Sequence, residues 1–168
     1  MDSVIAVDHS GCTGCRTCEM ICSLYHFGTC SPSKSAIQVI RQEKGGLIFS
    51  FPLVCRQCDP ATCIEACPVE ALARDENSGQ IILKQDECTL CGLCRDACPL
   101  GCIDIDPEKV ALIHCDLCGG EPQCIQACHA ECLKLVDRET RDEKSEIERI
   151  TSILEQQNCF DHILKRRP

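Results

Sequence analysis

The 168-residue chain has no tryptophan, one tyrosine and four phenylalanines. A chain so poor in aromatic bulk cannot rely on an ordinary packed core, and small cores of this kind need covalent or metal staples. No run approaches the roughly 18 consecutive apolar residues of a membrane span, so none is expected. Positive charge is also scarce: 17 Lys and Arg stand against 26 Asp and Glu, a formal charge of −9. Nucleic-acid binders normally carry a basic face and aromatic stacking platforms, and neither is legible here, so no nucleic-acid partner is expected. There is no Walker loop, no G-x-G-x-x-G after a strand and no nucleophile–base pairing. Nucleotide, flavin and nicotinamide binding are therefore not indicated. The first eight residues have neither a basic n-region nor a long apolar h-region, and no twin-arginine stretch lies near them. The expectation is a cytoplasmic chain.

What the sequence has is cysteine, 20 of them. Sixteen fall into four runs: Cys12-x2-Cys15-x2-Cys18-x3-Cys22, Cys55-x2-Cys58-x4-Cys63-x3-Cys67-Pro68, Cys88-x2-Cys91-x2-Cys94-x3-Cys98-Pro99 and Cys115-x2-Cys118-x5-Cys124-x3-Cys128. Such density can mean a disulfide-rich secreted scaffold. A reducing cytosol would instead leave the thiols free to bind metal. The third run is the C-x2-C-x2-C-x3-C-P signature of bacterial iron–sulfur sites, in which the fourth cysteine serves the other cluster of a pair. Zinc is the main rival, but zinc ribbons usually put a longer gap between their C-x2-C pairs. Four cubane [4Fe-4S] clusters are expected, with three clusters and one altered or zinc-filled site as the alternative. Small residues in the loops (Gly11, Gly14, Gly92, Gly119 and Gly120) would let backbone N–H groups approach cluster sulfurs. The fourth cysteine of each run is expected at the start of a short helix. A cluster in its oxidised state with four thiolates carries about −2, so four would take the protein to about −17.

Between the runs, polar turns separate short β-type segments: 4–8, the hairpin 36–41 with 47–51, the strand–turn–strand 69–84, then 102–106 with 110–113, and finally 131–136. The unit of metal run and strand thus repeats four times. Residues 137–148 are nearly all charge. Ile147, Ile150, Ile153, Leu154, Phe160, Ile163 and Leu164 then recur at roughly helical spacing. They predict a C-terminal amphipathic helix, either packed on its own domain or docking a larger subunit.

These runs resemble those of the polyferredoxin-type electron-transfer subunits over about residues 1–136. The resemblance implies an α+β fold, a duplicated bacterial-ferredoxin-like arrangement of short β-hairpins and short helices around the clusters. It implies nested pairing of the runs, first with fourth and second with third. The prolines agree: Pro68 and Pro99 follow the second and third runs, whereas Ser23 and His129 stand there in the first and fourth. By this resemblance Cys12, Cys15, Cys18 and Cys128 hold one cluster, and Cys22, Cys115, Cys118 and Cys124 its neighbour. Cys55, Cys58, Cys63 and Cys98 hold a third; Cys67, Cys88, Cys91 and Cys94 hold the fourth. The expected units are 1–54 with 103–136 as an outer pair of motifs, 55–102 as an inner pair, and 137–168 as the charged amphipathic tail. Cys30, Cys102, Cys132 and Cys159 are left over; Cys102 and Cys132 read as small core filler. His129 reads as an ordinary helix-start histidine.

A cluster with all four protein ligands leaves no open position for substrate. The expected function is electron relay, with no catalysis by this chain alone. The stretches 18–28 and 35–41 resemble the small subunits of tungsten and molybdenum oxidoreductases, among them the aldehyde oxidoreductase family and the tungsten benzoyl-CoA reductase. That resemblance implies an anaerobic complex with a larger catalytic partner and a further redox subunit or ferredoxin. The alternatives are a free ferredoxin-like shuttle, a subunit of a formate dehydrogenase or hydrogenase complex, and a zinc-based interaction module.

Overall fold

The structure is a computed structural model that describes residues 3–44, 46–106, 108, 110–140, 150 and 152. Among the described residues, eight strands form four two-stranded antiparallel sheets, and four α-helices carry cysteines between them. Strand β1 (Ser3–Val7) pairs with β8 (Leu133–Asp137), in register Ile5 to Leu135. The hairpin of β2 (Gln38–Lys44) and β3 (Leu47–Leu53) closes with Lys44 opposite Leu47. The smaller hairpins are β4 (Leu72–Arg74) with β5 (Ile81–Leu83), and β6 (Asp104–Ile105) with β7 (Leu112–Ile113). The segments predicted from alternation are all present, shifted by a residue or three. Spacing alone did not reveal that the first and last strands close on each other.

The helices are α1 (Thr17–Phe27), α2 (Thr62–Glu65), α3 (Leu93–Ala97) and α4 (Gln123–Gln126). One expectation is corrected here. The third cysteine of each run (Cys18, Cys63, Cys94 and Cys124) opens the helix, while Cys67, Cys98 and Cys128 fall just past its end. The reason is the loop before it. Residues two after each first cysteine, Gly14, Gln57, Leu90 and Leu117, all have left-handed backbones, with φ of 70°, 53°, 54° and 54°. The loop therefore curls tightly, and the helix starts as soon as it is released. Three of those four are not glycine, a cost of about 1 kcal/mol or more each that the surroundings must hold. His129 accordingly follows the end of α4 and does not start a helix.

Helix α1 runs 11 residues, the longest among the described residues, with Ser23 inside it where Pro68 and Pro99 follow the second and third runs. A proline there would remove a helical hydrogen bond and clash with the preceding turn. Ser23 is fully buried instead; its hydroxyl donates to the Glu19 and Met20 carbonyls and accepts from Ser31 N–H at 3.0 Å.

Apolar residues gather in three groups around the cysteines. Ile5, Val7, Ile37, Val39, Val54, Ile113, Leu117 and Leu133 surround the first and fourth runs. Ala61, Leu72, Ile81, Ile103 and Leu112 surround the second and third. A third group, Phe51, Leu53, Leu100 and Cys102, lies between, and Ile150 packs into it with 1% exposure. The rest of the predicted C-terminal helix lies outside the described residues. Among those described, no helix is long and apolar enough to cross a membrane.

Candidate metal centres

The sixteen run cysteines come together in four sets, and the helices explain how. Helices α1 and α4 pack on one another, as do α2 and α3. Each helix begins with a cysteine for one site and delivers, four residues on, a cysteine to the other side. Site I collects Cys12, Cys15, Cys18 and Cys128 around a cavity also lined by Cys132, Val39 and Leu133. Site II collects Cys22, Cys115, Cys118 and Cys124, with Ile5, Ile37 and Val54. Site IV collects Cys67, Cys88, Cys91 and Cys94, with Leu72, Leu83 and Leu112. In site III, Cys55 has Cys98, Cys58 and Cys63 as its charge neighbours.

The sites follow one another in a row. Cys124 of site II feels Cys18 of site I. Cys115 of site II feels Cys55 of site III. Cys94 of site IV feels Cys63 of site III. Gln57, fully buried, spans the central junction: its Nε2 donates to the Cys115 carbonyl at 2.7 Å, and its Oε1 accepts from Ile81 N–H at 2.7 Å. Beside it the buried Arg56 donates through Nη1 to the Ile5 carbonyl at 3.0 Å. Cys15 and Cys91, at the two ends of the row, are exposed.

The thiols report two environments. Burial pushes Cys18, Cys55 and Cys124 up to about 12 and Cys94 to about 11. It raises Cys63, Cys115 and Cys118 as well. Such thiols stay protonated at neutral pH unless a cation replaces the proton, so metal binding would release protons there. The crossing cysteines of the inner pair differ. Cys98 is pulled down to about 6, first by a hydrogen bond from the Cys102 thiol; burial opposes this, and the N–H groups of Cys102, Leu100 and Gly101 reinforce it. At Cys67 burial acts upward but is outweighed by the N–H groups of Leu72, Val69, Ala71 and Glu70, so that thiol is also lowered. These donor cradles follow from left-handed residues three past the fourth cysteine, Glu70, Gly101 and Glu131, with φ of 52°, 61° and 50°.

Other polar neighbours escaped the sequence reading. His26 Nε2 lies 3.6 Å from Cys118 Sγ and 3.5 Å from Asp116 Oδ1, which itself accepts from Cys118 N–H at 2.8 Å. The available signal was helical spacing: His26 is one turn beyond Cys22 on α1. Thr17 Oγ1 donates to Cys15 Sγ at 3.4 Å, and His129 Nδ1 lies 3.9 Å from the same sulfur. Cys132 Sγ contacts Cys128 Sγ at 3.5 Å, and Cys102 N–H donates to Cys98 Sγ at 3.3 Å. Cys102 and Cys132 are buried, as core filler would be, yet each also touches a crossing sulfur.

Comparison with known proteins gives these cavities a context. Residues 47–138, more than half the chain, match the model of the 4Fe-4S dicluster domain. The chain belongs to the 4Fe-4S dicluster family. Residues 9–25 of this dicluster protein separately match a 4Fe-4S binding domain. It is 38% identical over 135 residues to the aliphatic sulfonate oxidoreductase polyferredoxin-like subunit of Pyrococcus furiosus, covering 79% of this chain and 76% of that one. It is 32% identical over 170 residues to the electron transport protein HydN of Escherichia coli K12, covering 86% and 94%. Among solved structures, the BamBC active-site complex of benzoyl coenzyme A reductase aligns with a TM-score of 0.49 and 28% identity, over 90% of this chain and 88% of that one. The sites fit the cofactor in donor chemistry: thiols in fours, among mainly apolar side chains, with N–H groups turned toward sulfur.

Proposed function

We propose that the chain is an electron-transfer subunit that holds four [4Fe-4S] clusters and is not catalytic by itself. The observation that carries this is the completeness of the four cysteine sets, each offering four sulfurs and leaving no position for a substrate. Bound clusters supply one-electron storage and transfer, at potentials their surroundings set. The chain does the rest. Its paired helices hold adjacent sets close, its apolar groups keep water from the buried thiols, and the exposed Cys15 and Cys91 leave the two end sites open to partners. Cys12, Cys15, Cys18 and Cys128 serve site I; Cys22, Cys115, Cys118 and Cys124 serve site II. Cys55, Cys58, Cys63 and Cys98 serve site III; Cys67, Cys88, Cys91 and Cys94 serve site IV.

Residues 1–54 with 103–136 then act as the outer unit and 55–102 as the inner one, while 137–168 forms the tail. The β1–β8 pairing supports the outer closure. Ile103 and Leu112 pack among inner-unit residues, and Ile150 packs on Phe51 and Leu100, so the units are interlocked. The finer reading is a soluble cytoplasmic complex in an anaerobe, with a tungsten or molybdenum enzyme as catalytic partner and another redox subunit or ferredoxin as the second. It is supported by the likeness of stretches 18–28 and 35–41 to such small subunits. Anaerobic purification of the tagged chain from its own cells tests it. A larger subunit retained in fixed ratio, with tungsten or molybdenum in the complex, is the expected result. A lone monomer would favour the free shuttle.

A further inference from the structure

The cavities of sites II and IV are each lined by four cysteines, whereas five line that of site I: Cys12, Cys15, Cys18, Cys128 and Cys132. A cubane takes one protein thiolate at each of its four irons. The cavity of site I therefore holds one sulfur more than its cluster needs. Backbone contacts fix that extra sulfur in place. Left-handed Glu131, with φ of 50°, turns the chain after α4, and its N–H donates to the Cys128 carbonyl at 3.0 Å. The Cys132 carbonyl then accepts from Asp8 N–H at 2.8 Å, which fastens the residue just past the end of β1. On its other flank, a Cβ at Gly11 would stand 3.3 Å from Cys132 Cβ, so the glycine before Cys12 keeps open the space that Cys132 fills. Cys132 is thus 5% exposed, with its Sγ 3.5 Å from Cys128 Sγ. Cys102 stands at the matching position beside Cys98, but it packs with Phe51, Leu53 and Leu100, and its thiol reaches the Leu100 carbonyl at 3.7 Å.

We propose that Cys132 is a reserve ligand of site I, able to take over the iron corner that Cys128 holds. The inference rests on the cluster assignment above. Two sulfurs bound about 2.3 Å from one tetrahedral metal such as zinc lie roughly 3.8 Å apart. Sulfurs 3.5 Å apart can therefore reach the same metal, and they compete for one corner. In the exchange the bond from Cys128 sulfur to iron breaks and one from Cys132 sulfur forms. Cys132 gives up its thiol proton, and the departing Cys128 thiolate accepts it across their contact. No electron moves and no outside reagent is needed. Site I is an end of the row, exposed through Cys15, so a second ligand there keeps the terminal site loaded when Cys128 is lost.

The test uses the full chain, purified anaerobically as wild type, Cys132→Ala, Cys128→Ala and the double variant Cys128→Ala/Cys132→Ala, with iron analysis and EPR of the reduced protein. The site I signal is the one changed in a Cys15→Ala variant. Cys132→Ala keeps all four signals and about 16 iron per chain. Cys128→Ala keeps all four as well. The double variant loses the site I signal, and its iron falls toward about 12 per chain, while the other three signals show an intact fold. Loss of the site I signal from Cys128→Ala, alone or with all other iron, overturns the proposal. Survival of that signal in the double variant also overturns it, since another group must then hold the corner. So does its loss from Cys132→Ala, which would make Cys132 indispensable and not a reserve. A double variant without any iron, beside fully loaded single variants, upholds the proposal, because Cys132→Ala shows that alanine is tolerated there. A wild-type chain without iron would sink the function itself, a result distinct from any of these.

Discussion

Gln57→Leu is the sharpest probe of how the two halves of the row are joined. Leucine nearly matches glutamine in size, so little cavity is created. It removes both partners of two buried backbone groups, the Cys115 carbonyl and the Ile81 N–H, each held at 2.7 Å. Leaving one such group unsatisfied costs about 1–3 kcal/mol, so the pair amounts to about 2–6 kcal/mol. That is a large part of the roughly 5–15 kcal/mol that holds a domain folded. Because clusters are lost irreversibly on opening, the assay is a rate: anaerobic bleaching of the visible absorbance in guanidinium chloride. If only about 1 kcal/mol falls on the unfolding barrier, bleaching speeds up about fivefold. Gln85→Leu, at an exposed position, serves as the control and bleaches like wild type. Wild-type bleaching in Gln57→Leu would refute the claim that this side chain ties site II to site III.

Two further outcomes are expected. Gly14→Ala places a Cβ 2.4 Å from Ser50 Oγ at a residue with φ of 70°; it lowers stability by about 1–3 kcal/mol, and adding Ser50→Gly recovers only the steric part, as read by denaturant midpoints of the loaded protein. Stripping iron with a chelator under argon abolishes most of the folded signal in circular dichroism, because metal binding here substitutes for a large core; a chelated chain with an unchanged spectrum would contradict this.

Much of this architecture was legible because cysteine spacing and strand alternation are local. The turn at Asp75–Gly79 and the hairpin across Lys44–Leu47 follow from residues within a few positions of one another. The β1–β8 pairing joins residues more than 120 positions apart, and nothing in Ser3–Val7 alone announces its partner. The helix phase was misjudged because left-handed residues such as Gln57, Leu90 and Leu117 have no glycine to betray them. Arg56 and Gln57 went unnoticed for a related reason: polar side chains between loop cysteines ordinarily face water, and only tertiary closure buries them. His26 needed the length of α1, which depends on Ser23 standing in for proline.

The most direct measurement is iron, sulfide and EPR analysis of the anaerobically purified chain beside three variants, Cys98→Ala, Cys58→Ala and Cys91→Ala. The account predicts about 16 iron and 16 sulfide per wild-type chain. It also predicts that Cys98→Ala loses the same signal as Cys58→Ala and keeps the one lost in Cys91→Ala. Zinc in place of iron, or a Cys98→Ala spectrum that matches Cys91→Ala, would contradict it.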